Sequence, residues 1–269
     1  MSDLFYNWYK ATIISKTNKL KRLFLKALIR TLFMTLRPID YKIRLAKIDK
    51  FKSKKSNFHL VVSLTSFSKR IKKVHIVIKS ILLQTITPDK IVLWLSIQDF
   101  PNRFDDMPKK LLRLQDSRFE IKFVNENLGP HKKYFYSFKY YPKSLIITVD
   151  DDIAYPSRII ESLLDKYINN KNSIICNISS HFNPKLKYGS FRRISEEMCS
   201  IDVLPIGVGG VLYPPGIFDS NVFDKDLFMV LCPYGDDLWL KAQSYRKGVK
   251  CCQTNYIYPM FTILGTQKN

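Results

Sequence analysis

Apolar runs and amphipathic stretches alternate along the chain from residue 59 onward. Short apolar runs predict strands at 59–65, 90–96, 119–124, 145–149 and 173–178. Apolar residues at helical spacing predict helices at 71–84, 107–115, 131–140 and 157–168, the second of which Pro108 could open. The alternation predicts an α/β fold, with a mostly parallel sheet and helices on both of its faces. After residue 180 the pattern is less regular, which is typical of a substrate-specific region built on such a sheet.

A basic amphipathic helix is predicted at residues 10–37, and Pro38 is placed to end it. Lysines and arginines fill much of its surface, and its apolar stripe includes Leu20, Leu23, Phe24, Leu28 and Leu32. Such helices lie on anionic membrane surfaces, with aromatic residues such as Trp8 and Tyr9 at the interface. The same pattern also fits a helix that packs on the body of the protein or on a partner subunit, with its lysines in solvent.

The distribution of charge also separates residues 1–58 from the rest of the chain. The formal net charge is +21, and residues 1–58 carry 15 Lys and Arg against three Asp. The basic excess therefore belongs mainly to the N-terminal part, which argues against nucleic-acid binding by the folded body. Residues 41–58 are lysine-rich and weakly patterned, so we interpret them as a linker. The predicted organisation is a basic helical extension at 1–58 and a single domain at 59–269.

The amino-acid composition limits the class of protein and the cellular compartment that we expect. With 46% hydrophobic and 13% aromatic residues, the chain can bury a large core. The five cysteines show no CxxC and no Cys–His ligand spacing, which predicts buried free thiols in a reducing compartment and makes zinc improbable. The first residues lack the pattern of a secretory signal, and no 18 uncharged apolar residues run together. We therefore expect a cytoplasmic protein, peripheral at the inner face of the cell membrane.

Three consecutive aspartates, Asp150, Asp151 and Asp152, follow the apolar run 145–149. The run predicts a buried strand, and ligands of open α/β sheets bind at the carboxyl ends of strands. Three carboxylates there repel one another unless a cation sits among them, and hard oxygen ligands suit Mg²⁺ or Mn²⁺. The alternative is a solvated acidic turn, since aspartate-rich turns are common.

Two segments could contact a phosphate or a nucleotide. Lys132 and Lys133 lie just inside the predicted start of a helix, next to Gly129, which makes a fair phosphate site. A capped helix with solvated lysines is the alternative. Thr65 and Ser66 end the first predicted strand, where their hydroxyl groups could contact a nucleotide or simply form a turn.

Two later segments carry candidate chemistry. Gly209 and Gly210 belong to a glycine- and proline-dense loop, 207–215, whose backbone could approach a sugar or another strand closely. Asp236 is placed near the N-cap of a predicted helix, and Asp237 is then free to act as a general base. Both aspartates could instead serve only the helix dipole.

In this order, these segments resemble the nucleotide-sugar-dependent glycosyltransferases with the GT-A (Rossmann-like) fold, in their family-2-like branch of bacterial surface-polysaccharide synthesis. The resemblance covers roughly residues 59–250. It rests on the matching motifs at 61–66, 69–71, 80–85, 127–130, 150–152, 209–215 and 236–239. Relatives often hold the nucleoside with an acidic residue after the second strand, to which Asp99 is a loose match.

The resemblance implies roles for individual residues. Asp152 would be the main metal ligand and Asp150 its partner, with Asp151 structural or adjacent to the donor. Asp237 would be the catalytic base, with Asp236 beside it. The implied donor-binding set is Thr65, Ser66, Arg70, Lys132, Lys133, Asp150 and Asp151. Gly209, Gly210 and Trp239 would form the loop that meets donor and acceptor.

The resulting expectation is an inverting hexosyltransferase that uses Mn²⁺ or Mg²⁺ and a nucleoside-diphosphate sugar, with a UDP-sugar as the expected donor. Its acceptor would be a glycan or lipid-linked glycan of capsule, O-antigen or lipopolysaccharide synthesis. Two alternatives remain. One is a metal-dependent sugar-phosphate nucleotidyltransferase, for which a glycine-rich loop after the first strand would be expected and is missing. The other is a non-enzymatic basic module that binds membrane or nucleic acid.

Overall fold

The computed structural model describes residues 8, 11–12, 18–46, 54–256, 261–263 and 265–266. The predicted interface residue Tyr9, the N-terminal residues 1–6 and the middle of the predicted linker, 47–53, lie outside them. Seven helices are relevant to the fold: α1 (Lys19–Ala46), α2 (Ile71–Leu82), α3 (Lys109–Leu112), α4 (Lys132–Tyr140), α5 (Ile159–Ile168), α6 (Lys225–Leu231) and α7 (Asp236–Arg246).

The central sheet contains eight strands. Their order across the sheet is β10 (Cys199–Ser200), β13 (Cys251–Gln253), β8 (Ile174–Cys176), β12 (Val211–Tyr213), β6 (Leu145–Thr148), β2 (Leu60–Thr65), β4 (Lys90–Ser96) and β5 (Phe119–Val124). The pairs among β6, β2, β4 and β5 are parallel, and so is β13 with β8. β12 is antiparallel to both of its neighbours.

Short pairs of strands flank this sheet. They are β1 (Lys54–Lys55) with β3 (Ile86–Thr87), β7 (Ile153–Ala154) with β14 (Phe261–Thr262), and β9 (Ser179–His181) with β11 (Val203–Pro205).

Helices cover both faces of the sheet, as the alternating pattern predicts. Leu60, Val62 and Leu64 point to the face that α2 and α5 cover, in one large apolar cluster. Val61, on the alternate side of the same strand, packs with Trp94 and Ile146 under the aromatic residues of α4. Each central strand is therefore buried on both faces, which explains its continuous apolar sequence. The predicted α/β, Rossmann-like fold class is confirmed.

The predicted strands match the observed ones to within one or two residues, whereas some helices differ. The helix predicted at 107–115 is a single turn, Lys109–Leu112, because the amides of Leu114 and Gln115 bond three residues back instead of four. The helix predicted to end at Pro38 continues to Ala46. A proline lacks only its own backbone donor, so the turns on either side keep their remaining hydrogen bonds.

The N-terminal extension is attached to the body at two places. Ile29, at 6% exposure, packs into the large cluster beside α2. Lys54 and Lys55 pair with β3, so the predicted linker 41–58 is helical at its start and part of a strand pair near its end. Within the described residues, no helix is both long and apolar enough to cross a bilayer.

The prediction of five free thiols is wrong for two of them. Cys199 and Cys252 form a disulfide, because the antiparallel register of β10 and β13 places them opposite each other. Cys176 and Cys251 are buried free thiols, and Cys232 is a half-buried one.

Candidate active site

The three aspartates lie at the carboxyl edge of the parallel strands, where β6 ends. Their carboxylates turn to different partners. Asp150 Oδ1 accepts from Lys133 Nζ at 2.8 Å. Asp151 accepts from Ser66 Oγ at 2.5 Å and from Arg70 at 2.9 Å. Asp152 Oδ2 lies 3.2 Å from the same Arg70 nitrogen. The triplet is therefore neutralised by two separate protein cations rather than gathered around one position.

Arg70 clamps the second and third aspartates. Partial burial opposes its charge, but the hydrogen bond and charge of Asp151 outweigh burial, and the pKa of Arg70 is raised. Burial raises the pKa of Asp151, and the hydrogen bonds from Ser66 and Arg70 oppose that rise. Asp151 and Asp152 thus fix the start of α2 against the end of β6. Of the two expected metal ligands, Asp150 faces Lys133 and Asp152 faces Arg70.

The two lysines at the start of α4 point to different places. Lys133 Nζ lies between Asp150 Oδ1, at 2.8 Å, and Asp236 Oδ2, at 3.0 Å. Burial opposes the charge of Lys133, but the surrounding carboxylates, Asp150 first, raise its pKa well above the ordinary value. Lys132 Nζ instead donates to Asn127 Oδ1 at 2.6 Å, and burial lowers its pKa. Lys133 is therefore the cation that joins the early and the late aspartates.

Asp236 and Asp237 begin α7, yet Gly235 is the N-cap, and no side chain caps this helix. Asp236 thus lies next to the N-cap, as expected, but its carboxylate faces Lys133 instead of capping the helix. Asp237 Oδ2 accepts from the amide of Gly207 at 2.8 Å. Burial, and then the charge of Asp236, raise the pKa of Asp237 to about 7. The pair carries more negative charge than Lys133 alone balances.

Gly207 is the glycine that allows this approach. A Cβ atom there would lie 3.0 Å from Asp237 Oδ1 and 3.4 Å from Asp150 Oδ1. Sequence reasoning placed the site at Gly209 and Gly210 instead. A Cβ at Gly209 would meet Ile178 at 2.7 Å, and Gly210, with φ +81°, lies against the apolar side chains of α5. These two glycines therefore allow close packing against apolar side chains. The sequence signal for Gly207 was only its position at the start of the glycine-dense loop 207–215.

Two further expected site residues belong to the framework. Trp239 is 4% exposed, and its Nε1 donates to the carbonyl of Val222 at 2.9 Å, which holds the ring in the core. Thr65 Oγ1 donates to the carbonyl of Trp94 at 2.8 Å while it lines the cleft.

A cleft of about 830 Å³ opens over this edge of the sheet. Phe67 and the exposed Tyr234 lie in its wall. Its charged lining consists of Lys69, Arg70, Lys132 and Lys133 together with Asp99, Asp150, Asp151 and Asp236. Asp99, only a loose match in the sequence, is in the cleft, where it accepts from Asn127 at 3.1 Å. The cleft thus offers both cations and carboxylates to a bound molecule.

The carboxylates of Asp150 and Asp236 share the ammonium of Lys133. Asp236 Oδ2 is buried and accepts no hydrogen bond, although it lies 3.0 Å from Lys133 Nζ. Over the part of the chain that the structure describes, no three His, Cys, Asp or Glu side chains surround one cation position. Lys133 Nζ lies between the carboxylates instead. Asp150 and Asp236, which face that ammonium, are the carboxylates that a cation taking its place would meet.

No protein-family model and no curated protein matches this chain. Solved structures do match. One is apo UDP-glucose pyrophosphorylase, with TM-score 0.43 and 10% identity, over 78% of this chain and 93% of that one. The others include UDP-glucose pyrophosphorylase from Acinetobacter baumannii, with TM-score 0.47 and 7% identity, over 76% and 88%. Its UTP-bound form gives TM-score 0.45 and 9% identity, over 80% and 90%.

These matches correct the functional expectation. The matched structures are UDP-glucose pyrophosphorylases, which are nucleotidyltransferases, so the expected glycosyltransferase function is corrected toward its nucleotidyltransferase alternative. The inverting mechanism and the glycan acceptor find no support among them. The family resemblance to glycosyltransferases finds no support among them. The part that stands is the Rossmann-like α/β fold.

Proposed function

We propose that this protein is a metal-dependent sugar-phosphate nucleotidyltransferase. It would join a nucleoside triphosphate to a sugar phosphate, to give a nucleotide sugar and pyrophosphate. One observation carries the proposal: the cations Arg70 and Lys132 line the same cleft as the carboxylates of Asp150 and Asp236. A metal-bound polyphosphate needs this combination of charges.

The carboxylate side of the cleft supports a metal. Asp150, Asp236 and Asp237 supply oxygen ligands of the kind that Mg²⁺ and Mn²⁺ prefer. Together they carry more negative charge than the single Lys133 balances, and Asp236 Oδ2 accepts no hydrogen bond. A divalent cation held there would neutralise charge on the triphosphate and on the departing pyrophosphate.

The cationic side of the cleft supports phosphate binding. Asp151 and Asp152 hold Arg70 in place, and 22% of its side chain stays exposed. Lys132 is held by Asn127 in the wall of the same cleft. Because the chain has no glycine-rich loop after β2, these side chains, and not backbone amides, would position the phosphates. An ordered guanidinium suits this role since its donors match phosphate geometry.

The proposed reaction needs no general base. A phosphate monoester is largely ionised at neutral pH, because its second pKa is about 6. An oxygen of the sugar phosphate can therefore attack the α-phosphorus directly while the bond to the pyrophosphate oxygen breaks. Asp237 would then act as a metal ligand rather than as the base first expected. The chain's contribution is to position the two substrates and stabilise charge.

A product assay tests the proposal. Each common nucleoside triphosphate, uridine first, is incubated with hexose 1-phosphates and Mn²⁺ or Mg²⁺. Pyrophosphate release and nucleotide-sugar mass are then measured. We expect one pair to react, with loss of turnover in EDTA and in Asp150→Asn. The matched control is Asp226→Asn, an exposed carboxylate on α6. If no pair releases pyrophosphate, or if EDTA changes nothing, the proposal fails.

We also propose that α1 binds an anionic membrane surface, which would make the protein peripheral at the inner face of the membrane. α1 carries eight Lys and Arg and one Asp. Its exposed residues include large apolar ones: Leu20, Leu23 and Phe24 are 78%, 68% and 68% exposed. An apolar face on a strongly basic helix is the pattern of an interfacial helix.

Vesicle sedimentation with anionic lipid tests the membrane proposal. Phe24→Asp should weaken binding, because the substitution places a charge on the apolar face. Ile168→Asp is the control, since Ile168 is 53% exposed but lies on α5 in the body. Equal weakening by both substitutions would rule out α1 as the membrane-binding element.

A further inference from the structure

Lys133 lies where the proposed metal would be held. Its Nζ is 2.8 Å from Asp150 Oδ1 and 3.0 Å from Asp236 Oδ2, and only 6% of its side chain is exposed. We propose that Lys133 is an internal counterion that competes with the divalent cation for these carboxylates and moves into the cleft when the cation binds. The inference rests on the proposed function, because it takes the same carboxylates as the metal ligands.

The site needs a counterion when no metal is bound. Asp150 and Asp237 approach each other across Gly207, where a Cβ would be 3.4 Å from one carboxylate and 3.0 Å from the other. Asp236, next to Asp237, is buried, whereas Asp150 and Asp237 are half-buried. Carboxylates this close destabilise one another unless a positive charge lies among them. Lys133 is the side chain that brings this charge, because Lys132 is held by Asn127 and Arg70 by Asp151 and Asp152.

The side chain of Lys133 can also move away from the carboxylates of Asp150 and Asp236. The anchor of this residue is its backbone: the carbonyl of Lys133 accepts from Ser63 Oγ at 2.5 Å, which fixes the start of α4 whatever the side chain does. The ammonium sits on a flexible four-carbon stem, unlike the planar and doubly bound guanidinium of Arg70. Lys133 also lines the cleft, so a displaced ammonium meets the space where the phosphates would bind. Displacement would thus exchange a carboxylate partner for a phosphate partner.

Direct metal binding separates this role from a purely structural ion pair. Mn²⁺ binding to the full chain, without nucleotide, is measured by calorimetry and by the loss of the free-Mn²⁺ signal in electron paramagnetic resonance. Lys133→Met removes the competing charge, so we expect Mn²⁺ affinity to rise about tenfold or more. Lys143→Met, at an exposed lysine outside the cleft, should bind Mn²⁺ as the unmodified protein does.

Damage to the fold can only lower the affinity, so a rise supports the proposal. Unchanged or weaker binding by Lys133→Met, while the unmodified protein binds Mn²⁺, overturns the inference and leaves the proposed function standing. If neither protein binds Mn²⁺ at any concentration, the proposed function and the inference both fail.

A second measurement covers the case in which Lys133→Met folds poorly without metal. Thermal unfolding of Lys133→Gln, which keeps a polar side chain, is followed as Mn²⁺ is added. Because a ligand of the folded state raises its stability, we expect a larger rise in Tm per added Mn²⁺ than in the unmodified protein. An equal or smaller rise overturns the inference.

Discussion

Asp237 shows how two adjacent aspartates acquire different chemistry. Asp236 faces Lys133 at 3.0 Å, whereas Asp237 accepts a backbone hydrogen bond from Gly207 at 2.8 Å. Burial and the charge of Asp236 raise the pKa of Asp237 to about 7, well above its ordinary value of 3.8. An acid with a raised pKa holds its proton in the folded state at pH values where the unfolded chain has lost it.

This difference predicts how stability depends on pH. Between about pH 4 and pH 7 the folded state binds more protons than the unfolded state, so the free energy of unfolding falls as pH rises. Asp237→Asn removes this contribution. Without metal, we expect the unmodified protein to lose about 1 kcal/mol or more, relative to Asp237→Asn, between pH 5 and pH 8. Urea unfolding in EDTA at several pH values measures the free energy of unfolding, with Asp226→Asn as the control. Equal slopes of this free energy against pH in the unmodified protein and in Asp237→Asn would contradict the prediction.

Gly207 offers a second test at the same scale. Gly207→Ala would place a Cβ 3.0 Å from Asp237 Oδ1 and 3.4 Å from Asp150 Oδ1, so these carboxylates must move apart. We expect weaker Mn²⁺ binding and a loss of about 1 kcal/mol or more in unfolding free energy. Gly189→Ala is the control, because nothing lies within 4 Å of a Cβ there. Calorimetry and urea unfolding provide the two readouts, and a Gly207→Ala protein that matches Gly189→Ala in both would contradict the prediction.

At the scale of elements, the sequence predicts strands better than it predicts contacts between distant segments. The run at 145–149 predicts β6 because continuous apolar residues fit a strand buried on both faces. The antiparallel return of β12 beside β6 was not predictable, since three residues carry no direction of their own. That return brings Gly207 to Asp237. The pairing of Lys133 with Asp236 is likewise a contact between distant segments, α4 and α7. The sequence pattern around either residue does not indicate that the other is its partner.

The attachment of α1 to the body depends on one buried side chain among those described on this helix. Ile29 is 6% exposed, whereas Leu20 is 78% exposed. Ile29→Asp would bury an unpaired carboxylate, so we expect the free energy of unfolding to fall by about 2 kcal/mol. Leu20→Asp should change it by less than about 0.5 kcal/mol. Urea unfolding measures both, and equal effects would mean that α1 does not pack as the structure shows.

Across the whole molecule, the strand ends explain why the site could be predicted at all. β2, β4, β5 and β6 are parallel, so their carboxyl ends meet at one edge, where Ser66, Asp99, Asn127 and Asp150 all lie near the cleft. Residues that follow these strands were therefore identifiable from position alone. The partners of the triplet's carboxylates were not identifiable in this way, because the choice of Arg70 or Lys133 as partner depends on side-chain packing that no local pattern encodes.

The distribution of charge over the whole molecule leads to a final prediction. If net charge alone drew the protein to anionic vesicles, the removal of any three exposed cations would weaken binding equally. The proposed role of α1 predicts otherwise, because its basic residues lie beside its apolar face and act together with it. Lys19→Gln, Lys21→Gln and Lys26→Gln combined should reduce sedimentation with phosphatidylserine vesicles by about tenfold or more, at roughly 1 kcal/mol for each lysine.

The matched control removes the same charge from the body: Lys185→Gln, Lys187→Gln and Arg192→Gln, all at exposed positions between β9 and β10. This triple variant should bind vesicles nearly as the unmodified protein does. Rising salt should weaken the unmodified protein and the control alike, since both keep the basic residues of α1 and surface attraction is screened within about 10 Å at 0.1 M salt. Equal loss of binding by the two triple variants would show that the charge of the whole molecule, and not α1, governs attachment.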